Sequence, residues 1–337
     1  MKKIERYRGC LLAGGVGDQL GNAVEFWKRS EMLEHYGPEG VRRMSRHITD
    51  DTQMTLFTAQ GMLLGLKHRM PMPACVYQSY LDWYRTQMPR AKGGCFLREN
   101  DLMRVEALHA CRAPGHACLT SLGSGDMGTM EETINNSKGC GGVMRAAPCG
   151  LLKMIGTPDP EDAYAIQGAQ AAAITHGHTL GFVPAAMLAD MVHLIVEDYG
   201  FTLEGVVKSS LARMQKLFGF LPQTAELVRL MEKAMALAAG EKPAHEAIAE
   251  LGEGWVGEEA LAIAVYCALK FEDNMADCLS AAVTHDGDSD STGAIAGNIL
   301  GTWLGVEGIP ADWLAQLEMR EVIDSMAVRL YEAENAG

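Results

Sequence analysis

The chain has 337 residues, with 29 basic and 43 acidic side chains and a formal net charge of −14. Its 48% hydrophobic and 21% charged residues are the composition of a folded globule, long enough to bury one or two cores without disulfide staples. The acidic balance removes the usual electrostatic support for nonspecific nucleic-acid binding or for docking on anionic membranes.

The first segment, MKKIERYRGC, has charges where a signal peptide needs an apolar core, and no run of 18 apolar residues suggests a membrane span. The nine cysteines are odd in number and form no CxxC pair, which points to a reducing compartment; a cytoplasmic location is expected. Few aromatic residues and many Ala, Leu and Met favour helix over sheet.

In chain order, CLLAGGVGDQLGNAVEFW fits neither a dinucleotide fingerprint nor a phosphate-binding loop, because its glycine spacing is wrong and no Walker lysine follows. Asp18 and Glu25, seven residues apart, share a face if the segment is helical. Glu25 lies among Ala23, Val24, Phe26 and Trp27, so it is a buried acid that is either functional or salt-bridged. Next, RHITDDTQMTLF sets Thr49, Asp50 and Asp51 before an apolar helix. A helix cap uses one side-chain oxygen, so the second carboxylate still needs a partner. From about 86 to 145 periodicity is weakest, and loops with short helices are expected.

NNSKGCGGVMRAAPCGLL is a glycine-dense turn entering a helix. It is either a tight turn or a run of free amides, from Gly139 to Met144, able to receive an anion. In AITHGHTLG, His176 and His178 are too close in sequence to share a helix face as zinc ligands. Phe182, Ala186, Ala189 and Val196 lie on one helical face, and so do Leu203, Val207, Leu211, Met214 and Phe218, then Leu227, Met231, Ala234 and Ala238, all reading as amphipathic helices. The block from about 200 to 255 is a candidate insertion.

The last cluster, VTHDGDSDSTGAIAG, alternates Asp286, Asp288 and Asp290 with Gly287 and Ser289, followed by Ser291 and Thr292. Crowded carboxylates repel unless a cation joins them. The Gly and terminal Glu of an EF-hand loop are missing, and an all-oxygen donor set suits Mg2+ or Mn2+ better than zinc. The STGAIAGNILGTWLGV helix that follows and TLFTAQGMLLGL after Asp51 are apolar nearly all round, so both are expected inside the bundle. The whole chain, residues 1–337, reads as one all-α domain.

The segments GDQLGNAVE, TDDT, GCGGVMRAAP, THGH and DGDSDSTGAIAG, in this order, resemble the ADP-ribosylglycohydrolase family over about residues 7–305. The resemblance implies a single orthogonal multi-helix bundle around two Mg2+ or Mn2+ ions. It also implies hydrolysis of the glycosidic bond between ADP-ribose and an amino-acid side chain, with arginine the expected linkage, on an ADP-ribosylated protein or a small ADP-ribosyl substrate. Carried over by motif, the metal ligands are Thr49, Asp50, Asp51, Asp288, Asp290 and Ser291. Glu25 lies near the scissile ribose and orients or deprotonates water, with Asp288 or Asp290 sharing that work. Gly139, Cys140, Gly141, Gly142, Val143 and Met144 wrap the ADP moiety, and His176 sits beside the nucleotide. Cys140 stands where better known relatives often have Asn, and Ser291 where many have Thr. Two other readings remain open: an immunity protein that occludes an ADP-ribosylating toxin, and a metal-dependent hydrolase of a phosphate ester or a free ADP-ribose-like metabolite.

Overall fold

The computed structural model describes residues 1–96, 98–154 and 161–336. Helix α1 (Lys3–Gly21) is buried along most of its length, and α2 (Arg29–Tyr36) follows after a turn. Two long neighbours come next: α3 (Asp50–His68), interior over most of its surface as the apolar pattern predicts, and α4 (Met72–Gln87) packed on it. The weakly periodic stretch holds one short α-helix, α5 (His116–Ser124), and isolated single turns. Among the described residues there is no strand, only an isolated bridge between Gly139 and Val256.

After α6 (Ala163–Ala173) comes α7 (Thr179–Glu197). The single apolar face expected for α7 is a correction: it is buried on nearly every side, because α6, α8 (Leu203–Phe218), α11 (Gly257–Lys270) and α13 (Ser289–Leu304) all pack on it. Among the described residues, α7 alone is long and apolar enough to cross a bilayer, but that stretch is wholly buried inside the protein. In contrast, α8 and α9 (Thr224–Ala239) bury the predicted stripes, Leu203, Val207, Leu211, Met214 and Phe218, then Leu227, Met231 and Ala234, with Ala238 at the end of α9 only half-buried. Their stripes face α7 and α11, so the suspected insertion is part of the main core. The remaining helices are α10 (Ala244–Leu251), α12 (Met275–Val283), α14 (Ala311–Gln316) and α15 (Arg320–Asn335). All nine cysteines are unpaired.

The most extensive contact of all is between α1 and α13. It brings the two ends of the chain together and lays the end of α1 beside the start of α13.

Away from that junction, α7 carries a buried acid, Asp190, with Arg213 Nε 3.1 Å from its Oδ1. Burial outweighs the guanidinium and pushes the carboxyl up to about 6 from 3.8. A raised carboxyl pKa means that the folded state holds the proton more tightly than the unfolded chain. Stability therefore falls as pH rises from about 4 to about 6 and stays lower above that window. Asp190→Asn should flatten the melting temperature across it, since Arg213 keeps Asp162, 3.1 Å away, as a partner. Thermal melts of the variant that still drop as steeply would assign the effect to another group.

Candidate active site

The site forms where α1, α3 and α13 meet. Thr49 caps α3, its Oγ1 accepting the Asp51 N–H at 3.2 Å. Asp18, fully buried near the end of α1, accepts the Thr49 N–H at 2.9 and 3.0 Å, the Thr52 N–H at 3.1 Å and the Thr52 hydroxyl. Its carboxylate thus anchors the first turn of α3. That turn directs Asp50 and Asp51 to the cavity: Asp50 Oδ2 accepts the Gly115 N–H at 3.1 Å, whereas the buried Asp51 Oδ2 has no hydrogen-bond partner.

Gly287 opens the opposing wall with φ of 123°, a conformation suited to glycine, and the turn lets Asp288 donate its N–H to Glu253 O at 2.8 Å. Asp288 caps α13, its Oδ1 accepting the Ser291 N–H at 3.2 Å, and Asp290 Oδ1 accepts the same N–H at 3.0 Å. The Cys140 thiol donates to Asp288 Oδ2 at 2.7 Å. Asp286 leaves the cluster. It accepts the Arg29 N–H at 2.7 Å and pairs with Lys28 at 3.3 Å, which hold its carboxyl below the ordinary range.

A cavity of about 210 Å³ brings together Glu25, Asp50, Asp51, Asp288, Asp290, Ser291, Gly139, Cys140, Gly141, Met144, His176 and Trp255. Two other clefts, of about 230 and 280 Å³, are no smaller but have mixed-charge walls and include none of these five carboxylates; chemistry rather than size marks the site. No Lys or Arg lines the cavity, and among the described residues none of its five carboxylates forms an ion pair. Burial pushes every one of these acids upward, and repulsion from Asp290 adds to the effect on Glu25, Asp50, Asp51 and Asp288. Glu25 reaches about 8 and Asp18 about 7.

The oxygen donors and the orphaned Asp51 Oδ2 suit a hard divalent cation. Yet among the described residues no three His, Cys, Asp or Glu side chains converge closely enough to enclose an ion. In this arrangement Asp288 Oδ2 is engaged by the Cys140 thiol.

Several expected positions shift. α1 stops at Gly21, so Glu25 lies in a half-buried turn and shares no helix face with Asp18. Thr49, Gly142 and Val143 are buried behind the wall and do not line the cavity. The glycine segment is not an unbroken run of free amides from Gly139 to Met144. Gly139 donates to Ser137 Oγ, Cys140 to Trp255 O, and both Val143 and Met144 to Cys140 O. His176 does line the cavity and is buried; burial, then Arg145, lowers its pKa to about 3. His178 instead caps α7, its Nδ1 accepting the Leu180 N–H at 3.0 Å.

Sequence reasoning missed the anchoring by Asp18 and the loop 252–257. Trp255 O accepts from Cys140, Glu253 O from Asp288, and Gly257 donates to Lys138 O at 2.8 Å, so this loop ties the glycine segment to the second acidic cluster. A tryptophan between close glycines, 38% exposed in the structure, was the available signal.

The family model for ADP-ribosylglycohydrolases matches residues 1–337. The chain belongs to the ADP-ribosylglycohydrolase family. It is accordingly a glycosidase-type hydrolase acting on ADP-ribose linkages. The ADP-ribosyl-dinitrogen reductase glycohydrolase of Rhodospirillum rubrum is 24% identical over 323 residues, covering 94% of this chain and 91% of that protein. ADP-ribosylhydrolase ARH3 of Mus musculus is 23% identical over 376 residues, covering 98% and 92%. A solved structure titled ADP-ribosylglycohydrolase-related protein complex superposes with a TM-score of 0.64 at 24% identity, over 98% of this chain and 99% of that one, and so shares the helical fold.

Proposed function

We propose that this cavity hydrolyses the N-glycosidic bond between ADP-ribose and an arginine side chain, with two divalent cations, Mg2+ or Mn2+, held by Asp50, Asp51, Asp288 and Asp290 and the adjoining hydroxyl of Ser291. The observation that carries this reading is that five carboxylates face one cavity without a lysine or arginine on its wall. Such cations supply positive charge that offsets the acids and polarises bound oxygen atoms.

The residues of the chain do the rest. Cleavage builds positive charge on the ribose ring, and the carboxylate wall stabilises it without reorganising. Glu25, half-buried on the wall of the cavity, orients water and takes or gives a proton at its carboxyl; burial, the largest influence on it, raises its pKa and brings the protonated form closer to neutrality. An arginine conjugate is a guanidinium cation before cleavage and departs as neutral guanidine, and Glu25, the one cavity carboxylate outside the proposed cation ligands, favours that cation, whereas a serine conjugate is uncharged at its linkage. This difference supports arginine linkage.

The test is a panel of arginine-, serine- and base-linked ADP-ribosyl substrates, assayed with Mg2+, with Mn2+ and with chelator, with products read by mass spectrometry. Free ADP-ribose from the arginine conjugate, lost in chelator, is the expected result. Inorganic phosphate as the product would replace this reading with a phosphohydrolase, and serine conjugates cleaved faster would overturn the linkage. Glu25→Gln should lower kcat roughly a hundredfold with a melting temperature no lower than the parent's. A kcat within twofold of the parent would remove Glu25 from the proton-transfer role.

A further inference from the structure

Arg145 is fully buried, and among the described residues no carboxylate pairs with it. Its guanidinium lies over the Tyr80 ring at 4.4 Å, and Nη1 reaches Cys118 Sγ and Met54 Sδ at 3.2 Å each. Nη2 donates to Ala171 O at 3.3 Å and to Thr175 Oγ1 at 2.5 Å. Thr175 Oγ1 in turn lies 2.8 Å from His176 Nδ1. Burying a guanidinium among apolar groups and sulfur atoms is costly, and nothing in the acid chemistry described above uses it.

The chain of hydrogen bonds has a direction. A guanidinium carries only donors, so Thr175 Oγ1 must accept from Arg145. The hydroxyl proton then points elsewhere; His176 Nδ1 and the Cys118 sulfur are both within reach, and the imidazole nitrogen is much the stronger acceptor. An imidazole that accepts at Nδ1 carries its proton at Nε2. The Nε2 edge lies along the cavity wall beside Gly139 and Gly141; an ideal Cβ on either would stand 3.4 or 3.3 Å from Nε2, so glycine at both positions keeps that edge open.

We propose that Arg145 is a positioning residue of the site: acting through the Thr175 hydroxyl, its guanidinium fixes His176 as the neutral tautomer that presents Nε2–H into the cavity as a hydrogen-bond donor to an acceptor atom of the substrate's nucleotide portion. This rests on the functional reading above only for the identity of the acceptor. The positive charge of Arg145 also opposes protonation of the ring, and burial does the same, so His176 stays a neutral donor throughout the working pH range. Substrate recognition here is thereby insulated from pH, although a histidine provides it.

The decisive measurement is nitrogen NMR of histidine-labelled protein without any substrate. The expected result is a protonated, pyrrole-type Nε2 and an unprotonated Nδ1 on His176, unchanged from pH 5 to 9. Thr175→Val removes the proton offered to Nδ1 with little change in shape. It should populate the other tautomer and raise KM for the ADP-ribosyl substrate, and Kd for ADP-ribose, about tenfold, with kcat within twofold; Thr175→Ser should restore all three. A purely structural hydroxyl would lower the melting temperature and leave the tautomer alone. A wild-type His176 protonated at Nδ1, or a Thr175→Val protein with an unchanged tautomer, would overturn the proposal. The expected tautomer in a wild-type protein that does not bind ADP-ribose would overturn the functional reading and leave the positioning role standing.

Discussion

In an Asp50→Asn/Asp290→Asn variant, release of free ADP-ribose is expected to fall at least roughly a thousandfold, while in chelator the variant melts no lower than the parent protein. The two halves of this result have one cause. Asp50 and Asp290 are 4% exposed, unpaired with any cation, and subject to repulsion from the acids around them. Two like charges about 4 Å apart repel by roughly 4 kcal/mol at the effective dielectric of such sites, so each carboxylate works against folding until a cation joins it. Asparagine is close in shape and keeps an acceptor oxygen for the Gly115 and Ser291 N–H groups, so the swap removes charge without stripping hydrogen bonds. Activity is lost because the same charge holds the cations and stabilises the developing positive charge on the sugar. Product release followed by mass spectrometry, with circular dichroism and thermal melts, checks both halves. Full activity in the variant, or in the parent with excess chelator, would sink the two-cation reading. A fall in melting temperature would show instead that the acids are tied by structure rather than strained by repulsion.

The acidic half-sites were legible because chemistry repeats in the primary sequence: TDDT and DGDSDS crowd more oxygen donors than a cap or turn can use. Helix stripes such as Leu203 to Phe218 were legible because one solvent face keeps the period visible. Where burial is complete the period disappears, which is why α7 read as one-faced although Pro184, Ala185 and Met187 are buried as deeply as Phe182. The turn at Glu25 was hidden because residues 22–26 contain no proline or other break strong enough to announce the end of α1. Asp18 was visible as an acid but not as an anchor, since its partners Thr49 and Thr52 lie on another helix. Loop 252–257 and Arg145 act through tertiary contacts with residues distant in the chain, and no local pattern encodes which distant carbonyl or hydroxyl they meet.

The glycines of the first segment, which match no nucleotide-binding spacing, have a role that only the packing reveals, and it predicts the largest effect on stability. Gly9, Ala13, Gly17 and Gly21 recur every fourth residue on α1, and Gly293, Gly297 and Gly301 do so on α13. A Cβ built at Gly9 would stand 2.1 Å from Gly301 O, at Gly17 2.0 Å from Gly293 O, and at Gly297 2.1 Å from Ala13 O. The obstructing atoms are backbone, so no rotamer change relieves the clash and the helices themselves must part. Gly17→Ala and Gly297→Ala are each expected to cost at least about 4 kcal/mol in denaturant unfolding. Gly240→Ala, where a Cβ meets nothing nearer than 3.4 Å, should stay within about 0.5 kcal/mol. Equal stability of Gly17→Ala and Gly240→Ala would refute the backbone-contact account. The same ladder leads into the site: a Cβ at Gly21 would stand 2.3 Å from Ser289 O and 2.5 Å from Asp290 Cα. Gly21→Ala, at the last residue of α1, should cost less stability than Gly17→Ala but displace the start of α13, so that at temperatures where the variant is fully folded its ADP-ribose release still falls by more than about tenfold.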